Sequence, residues 1–206
     1  MTEEFRYDCN GSLLESNAYK YNSSGKMVED VYCDLEFELW NKYTYKYDFL
    51  GKMVEENVYD SDGVLETRSI YKYDSSGNRI EEAWYNSDGS LYHKCFYKYD
   101  SSGNLIETLW DGLYGSCEVK WTYKYDSFGK LVKETYADDS KYWERYYKYD
   151  TSGNKIEEAH YDSDGSLYWK YTYKYGPTGN MIEALRYEGD ATMPVSQTVY
   201  EITYRN

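Results

Sequence analysis

The stretch Tyr97-Lys-Tyr-Asp-Ser-Ser-Gly-Asn-Leu105 recurs in variant form seven times along this chain of 206 residues. Its Tyr-Lys-Tyr tripeptide begins at Tyr19, Tyr45, Tyr71, Tyr97, Tyr123, Tyr147 and Tyr173, and a turn-forming run that ends in glycine follows every copy. These glycines recur every 26 residues, except for one step of 24 residues between Gly129 and Gly153. A fixed period of this length indicates one supersecondary unit copied along the chain.

A second turn lies between successive copies of this first turn. It is clearest at 60–63, 86–89 and 162–165, and Gly11 and Gly115 hold the same place. Between the turns the residues alternate in character, as in 167–175, and many are aromatic or β-branched. A period of two predicts β-strands.

Fifteen turns are counted when the degenerate ones near Glu36, Asp139 and Asp190 are included. They predict an all-β, repetitive, up-and-down antiparallel meander of about 14–16 strands without helices. The chain is interpreted as one continuous array: a partial repeat over 1–21, full repeats from about 22 to 175, and an irregular repeat over 176–206. Open sheets seldom exceed about ten strands, so we expect a coiled or partly closed sheet.

The run Asp100–Asn104 predicts the geometry of the first turn. Asp caps the turn through its side chain, two residues form a type I turn, and Gly103 takes the left-handed conformation.

This hairpin also predicts the two faces of the sheet. If Asp74 lies opposite Asn78, then Tyr73 faces Arg79, Lys72 faces Ile80 and Tyr71 faces Glu81. The tyrosine face would then carry the tyrosine pairs and the first Glu of each Glu-Glu pair. The lysine face would carry the repeated lysines, the Ile or Val three residues after each glycine, and the second Glu, as in Glu82. We expect the tyrosine face to be the more buried, because tyrosine can bury its ring while its hydroxyl keeps a polar partner.

Composition excludes several classes of partner. A net charge of −14 without a basic cluster argues against nucleic acid and anionic membrane surfaces. No apolar run approaches the roughly 20 residues needed to span a bilayer, so membrane insertion is not expected. Residues 1–4 begin no basic-then-apolar segment, so a secretory signal is either missing or already removed. We predict isolated thiols in preference to disulfides or a metal site for all four cysteines, Cys9, Cys33, Cys95 and Cys117.

The sequence predicts no catalytic residues, no metal site and no cofactor. The Asp-x-Asp-Gly turns lack the third acidic ligand and the distal Glu of a calcium loop. His93 and His160, the two histidines, lie in different strand registers, and no Gly-x-Ser-x-Gly elbow occurs. The glutamates recur in repeat after repeat, which favours a structural role. We therefore expect that the chain is not an enzyme.

One variable position stands out within the constant framework. Seven residues after each first-turn glycine the chain carries Tyr32, Val58, Trp84, Trp110, Tyr136, His160 and Arg186. The predicted register puts this stripe on the lysine face, with neighbouring members about 9–10 Å apart. Two interpretations stay open: the stripe fills space under a curl of the sheet, or it is a recognition surface for an extended sugar chain or peptide.

Tyr99-Asp-Ser-Ser-Gly-Asn-Leu105 resembles the Tyr-Asp-x-x-Gly-x-Leu centre of YD repeats, the units of Rhs-type bacterial proteins and teneurins. Matching copies begin at Tyr47, Tyr73, Tyr125 and Tyr149, whereas Tyr21-Asn22 and Tyr175-Gly176 depart at the second position. The residues 149–161 are also similar to the MORN-variant repeats of YwqK-type bacterial proteins. Both resemblances imply a scaffold or binding surface without catalysis. The YD resemblance favours an extracellular or cell-surface location, with a cytoplasmic one still open.

We therefore expect a non-enzymatic interaction module that binds a protein or carbohydrate partner. The alternative is a structural, self-associating or shell-forming segment of a larger secreted or surface protein, joined through unpaired sheet edges. Pro194 and Arg205 are features that would blunt the last edge, whereas the first segment, 3–7, has charge but no proline.

Overall fold

The computed structural model describes residues 2–7, 10, 12–34, 39–111 and 118–200. Within these ranges it contains sixteen strands and no helix, and so no helix that would cross a membrane. The first eight strands are β1 Thr2–Tyr7, β2 Leu13–Tyr21, β3 Met27–Asp34, β4 Leu39–Tyr47, β5 Met53–Tyr59, β6 Leu65–Tyr73, β7 Arg79–Asn86 and β8 Leu91–Tyr99. The others are β9 Leu105–Asp111, β10 Val119–Tyr125, β11 Leu131–Ala137, β12 Tyr142–Tyr149, β13 Lys155–Asp162, β14 Leu167–Tyr175, β15 Met181–Glu188 and β16 Ser196–Val199.

The strands form one antiparallel sheet in which the spatial order is the sequence order, β1 to β16. The predicted all-β meander is thus confirmed. The chain divides into two compact units. The first holds the described residues up to Phe96, with Asp111, and the second holds Tyr97–Trp110 and the described residues from 118 onward.

The first turn has the predicted three-residue geometry. In the copy at Asp74 the Gly77 amide donates to the Asp74 carbonyl at 3.0 Å, and the Asp74 amide donates to the Asn78 carbonyl at 2.9 Å. The Asp74 carboxylate accepts the Asn78 amide at 2.8 Å. Gly77 has a φ of 88°, in the left-handed region that glycine tolerates best.

A β-bulge directly after this turn changes the predicted register. Tyr73 does lie opposite Arg79, but Ile80 is the extra residue of a bulge, so Lys72 pairs with Glu81 and Tyr71 with Glu82. A shift of one residue exchanges the faces of every following side chain. The prediction that the first Glu shares the tyrosine face was therefore wrong: Glu81 lies on the lysine face and Glu82 on the tyrosine face.

The tyrosine face is the more buried of the two, as expected from its tyrosine pairs. Nine residues are buried in the described part of the chain. The six on the tyrosine face are Asp34, Ser69, Tyr71, Glu82, Cys95 and Thr108. The other three, Asn57, Ala83 and Ala159, lie on the lysine face.

Tyrosines of the Tyr-Lys-Tyr motif bond to the preceding repeat in several copies of the motif. The second tyrosine donates its hydroxyl to a main-chain carbonyl, as from Tyr73 to Met53 at 2.7 Å. The same bond joins Tyr47 to Met27, Tyr125 to Leu105, Tyr149 to Leu131 and Tyr175 to Lys155. In at least two copies the first tyrosine donates to a glutamate of the preceding repeat, from Tyr71 to Glu56 at 2.8 Å and from Tyr147 to Glu134 at 2.9 Å. The constant motif therefore joins neighbouring repeats, so stability should depend on nearest-neighbour contacts.

The lysine face carries ion pairs between neighbouring strands. Glu81 lies between Lys72 and Lys94, at 3.0 and 2.9 Å. Glu107 lies in the same way between Lys98 and Lys120, and the hydrogen bonds from these lysines lower its pKa. Each such cross-strand pair contributes about 0.2–1 kcal/mol.

The 24-residue repeat preserves the two faces. Its turn between β11 and β12 is closed by a bond from the Asp138 amide to the Lys141 carbonyl at 2.9 Å, and Tyr136 pairs with Trp143 without a bulge. In the 26-residue repeats the equivalent pair is Trp84 and His93. The segment between these two residues is longer than that between Tyr136 and Trp143 by one loop residue and one bulge residue. Because the turn loses two residues together, each side chain keeps its face.

Two glycine substitutions should separate backbone strain from a lost contact. Gly103 has a φ of 85° and no atom within 4 Å of an added Cβ, so Gly103→Ala should cost about 1–2 kcal/mol from strain. At Gly77 a Cβ would lie 2.5 Å from the Lys52 Nζ, which donates to the Gly77 carbonyl at 2.7 Å. Gly77→Ala should therefore lower the free energy of unfolding by about 1 kcal/mol more than Gly103→Ala does, because it also displaces the Lys52 hydrogen bond.

Urea unfolding measured by circular dichroism checks both values. Gly103→Val should lower the free energy of unfolding more than Gly103→Ala does, because a β-branched residue tolerates a positive φ least. Equal losses for Gly77→Ala and Gly103→Ala would contradict a stabilising role for the Lys52 contact.

Candidate functional site: the aromatic surface

The stripe predicted from the sequence lies on the tyrosine face and not on the lysine face. Trp84 pairs with Ser69, two residues before Tyr71, so its side chain points to the same side as that tyrosine. The bulge that places Glu81 and Glu82 on their faces also places this stripe. The bulge at Ile80 adds one residue between the turn and the stripe.

In the first unit the stripe residues Tyr32, Val58 and Trp84 lie on β3, β5 and β7. The Tyr32 hydroxyl donates to the buried Asp34 at 3.1 Å. The Trp84 ring contacts His93 of β8, with a centroid distance of 5.2 Å. The Tyr32 and Trp84 side chains thus contact residues of their own or a neighbouring strand.

In the second unit two stripe residues join a continuous row of aromatic rings. We call this set the aromatic row: Trp121, Tyr136, Trp143, His160 and Trp169, one from each of β10 to β14. Successive ring centroids lie 5.1, 5.6, 4.9 and 5.4 Å apart. Five adjacent strands span about 19 Å across the sheet, so the row forms a platform of that width.

Arg145 supplies the positive charge of the row. Its guanidinium lies 5.1 Å from the Trp143 ring and 5.3 Å from the Trp169 ring, and it pairs with Glu134 at 3.0 Å. Burial and the neighbouring Arg145 charge lower the pKa of His160. His160 is therefore uncharged at neutral pH, which suits its stacking against Trp169.

The remaining stripe residues of the second unit lie beside the row. Trp110 pairs with Val119 and is 38% exposed. Arg186 pairs with Tyr171 and forms an ion pair with Glu188 at 2.8 Å. Sequence reasoning missed Trp121, Trp143 and Trp169, because they lie on the strands between the stripe positions.

The cysteines and histidines form no recognisable reactive centre among the described residues. Neither Cys33 nor Cys95 forms a disulfide, while Cys9 and Cys117 lie outside the described ranges. His93 lies in the first unit and His160 in the second. Within the part of the chain that the structure describes, no three His, Cys, Asp or Glu side chains converge as metal ligands.

Comparison with known proteins gives a short family match and a likeness of fold. A family model described as a protein of unknown function, DUF2963, matches residues 65–110. No curated protein sequence matches the chain.

The crystal structure of TcdB2-TccC3-TEV is similar over 97% of this chain, with a TM-score of 0.59 and 15% sequence identity. This chain spans 12% of the length of that protein chain. A porin-like protein from Bacteroides uniformis ATCC 8492 has a TM-score of 0.44 and 14% identity, with 84% of this chain and 82% of that chain covered. The first likeness shows the fold, that of a β-repeat region within a much longer chain.

Proposed function

We propose that this chain is a non-enzymatic interaction module of the YD-repeat type, part of a larger protein, whose aromatic row binds a protein or carbohydrate partner. The observation that carries the proposal is the row itself. Five rings from five neighbouring strands form one surface, with the guanidinium of Arg145 among them. Aromatic faces stack on sugar rings and on apolar or cationic side chains, and so fit either class of partner.

Exposed rings at the border of the row allow a test that spares the fold. Tyr168 is 60% exposed and its ring lies 5.8 Å from that of His160. Tyr168→Ala should change the free energy of unfolding by less than about 0.5 kcal/mol. It should weaken binding about fivefold or more to any ligand found on glycan and peptide arrays. Trp110→Ala, at the other end of the unit's stripe, should act in the same direction.

Tyr142, which is 42% exposed on the lysine face of the same unit, provides the matched control. Tyr142→Ala should leave the affinity unchanged. If neither array yields a ligand, or if Tyr142→Ala and Tyr168→Ala weaken binding equally, the aromatic row is not the binding surface. Loss of stability in Trp84→Ala without any change in binding would assign that tryptophan to packing.

A second candidate function is a structural segment that continues a larger sheet through its edges. Its support is the exposure of both terminal strands, β1 and β16, along their whole length. Pro194 precedes β16, and Arg205 lies outside the described residues. Light scattering after size-exclusion chromatography, over a range of concentrations, should then show species larger than the monomer.

A further inference from the structure

Two equivalent grooves lie one repeat apart in the second unit, at the end of the strands where the first turns lie. One has a volume of about 510 Å³ and lies between the turns that begin at Asp100 and Asp126. The other, of about 700 Å³, lies between the turns that begin at Asp126 and Asp150.

Each groove is lined by apolar and aromatic side chains together with polar residues of the turns. Ile106 and Tyr125 line the smaller groove, and Val132, Ile156 and Tyr149 line the larger one. The tyrosine hydroxyls are held by main-chain carbonyls, from Tyr125 to Leu105 and from Tyr149 to Leu131, both at 2.9 Å. The rings are thus fixed before any ligand arrives, which reduces the entropy lost on binding.

Phe128 adds an exposed apolar side chain to the larger groove. It lines that groove and is 87% exposed. A phenylalanine this exposed contributes little to folding, because most of its surface stays in water. Its position favours contact with a bound partner.

The spacing of the grooves selects the conformation of the ligand. Successive grooves lie two strands apart, about 9.6 Å. A polyproline II helix has three residues per turn and a rise of about 3.1 Å per residue, so it repeats every 9.3 Å or so. Every third residue of such a helix would meet an equivalent groove. Grooves lined by aromatic rings are also the surfaces that recognise proline-rich peptides.

The charge of the protein indicates which proline-rich peptides it would favour. Carboxylates of the turns and the ammonium groups of Lys124, Lys130 and Lys148 line the grooves together, so no single sign prevails there. The net charge of −14 of the whole chain favours a basic peptide over an acidic one.

We propose that the two grooves bind a proline-rich, basic segment of a partner protein in the polyproline II conformation, with one proline in each groove. The site uses the turn end of the strands and not the aromatic row. Its failure would therefore leave the function proposed for the row untouched.

Two peptides of identical composition test the spacing. One consists of Pro-Ala-Lys triplets, with proline at every third position. In its isomer the spacing between prolines alternates between two and four residues. In calorimetric titration of the full chain the regular peptide should bind about tenfold more tightly, because it can occupy both grooves at once. Equal affinities, or no binding of the regular peptide, would overturn the proposal.

A pair of exposed apolar residues provides matched variants. Phe128→Ser should weaken binding of the regular peptide about fivefold. Met193→Ser removes a side chain that is 77% exposed between β15 and β16, at the opposite end of the strands, and should have no effect. Circular dichroism should show that both variants are folded. An equal effect of the two variants on binding, or none from Phe128→Ser, would also overturn the proposal.

Discussion

Tyr71→Ala is expected to lower the free energy of unfolding by about 3–5 kcal/mol, the range for loss of a buried aromatic ring. Tyr71 is 6% exposed, and its hydroxyl donates to Glu56 at 2.8 Å. The substitution removes the ring from the more buried face and leaves a carboxylate of the preceding repeat without this partner. Urea unfolding followed by circular dichroism measures the loss.

Two further variants separate the contributions at this position. Tyr71→Phe keeps the ring and removes the bond to Glu56, so it should cost about 1–3 kcal/mol. Tyr92, 62% exposed in the same unit, is the matched control, and Tyr92→Ala should cost less than about 0.5 kcal/mol. If Tyr71→Ala costs no more than Tyr92→Ala, the tyrosine face is not the core of the first unit.

The protein is expected to lose stability steeply in alkali. Burial, with the nearby charge of Asp30, raises the pKa of Tyr45 from 10.0 to about 12. Burial, with the charge of Glu158, raises the pKa of Tyr173 to about 12. The pKa values of Tyr71 and Tyr147 are also raised, chiefly by burial. A pKa above the unfolded value means that the folded chain retains protons which the unfolded chain releases, so stability is full below about pH 10 and falls as the pH rises toward 12.

The urea midpoint at several pH values measures this effect. It should stay constant up to about pH 9 and fall between about pH 10 and 12. Tyr45→Phe removes one of these titrating hydroxyls, so the midpoint of this variant should fall less steeply over the same range. An unchanged slope would show that Tyr45 ionises as readily in the folded chain as in the unfolded one.

The strands and turns could be predicted because their signals are local. The Asp-Ser-Ser-Gly-Asn run specifies one turn geometry wherever it occurs, and alternation between turns indicates strands. The confirmed pairing of Tyr73 with Arg79 follows from these two facts alone.

The bulge could not be predicted from the turn, because it depends on which pairing of whole strands has the lower free energy. A signal was nevertheless present in the charges. Lys72 and Glu81 form an ion pair at 3.0 Å, and only a one-residue offset from the regular register brings them together. Charge complementarity across the hairpin would have placed the faces correctly.

Only part of the aromatic row was predicted, because the prediction used one position of each repeat. Tyr136 and His160 were found from their constant distance to the preceding glycine. Trp121, Trp143 and Trp169 lie on the other strand of each hairpin, two or four residues before the first tyrosine of the motif. An even offset from that tyrosine places them on its face, and this signal is visible in the sequence.

The shorter turn between β11 and β12 has a consequence for how such a chain can change over generations. It lacks one loop residue and one bulge residue, and the faces on both sides of it are unchanged. Gains or losses of two codons at a hairpin are therefore compatible with the sheet. A single extra residue within a paired stretch would exchange the faces of the residues that follow it, unless a bulge or the loop takes it up.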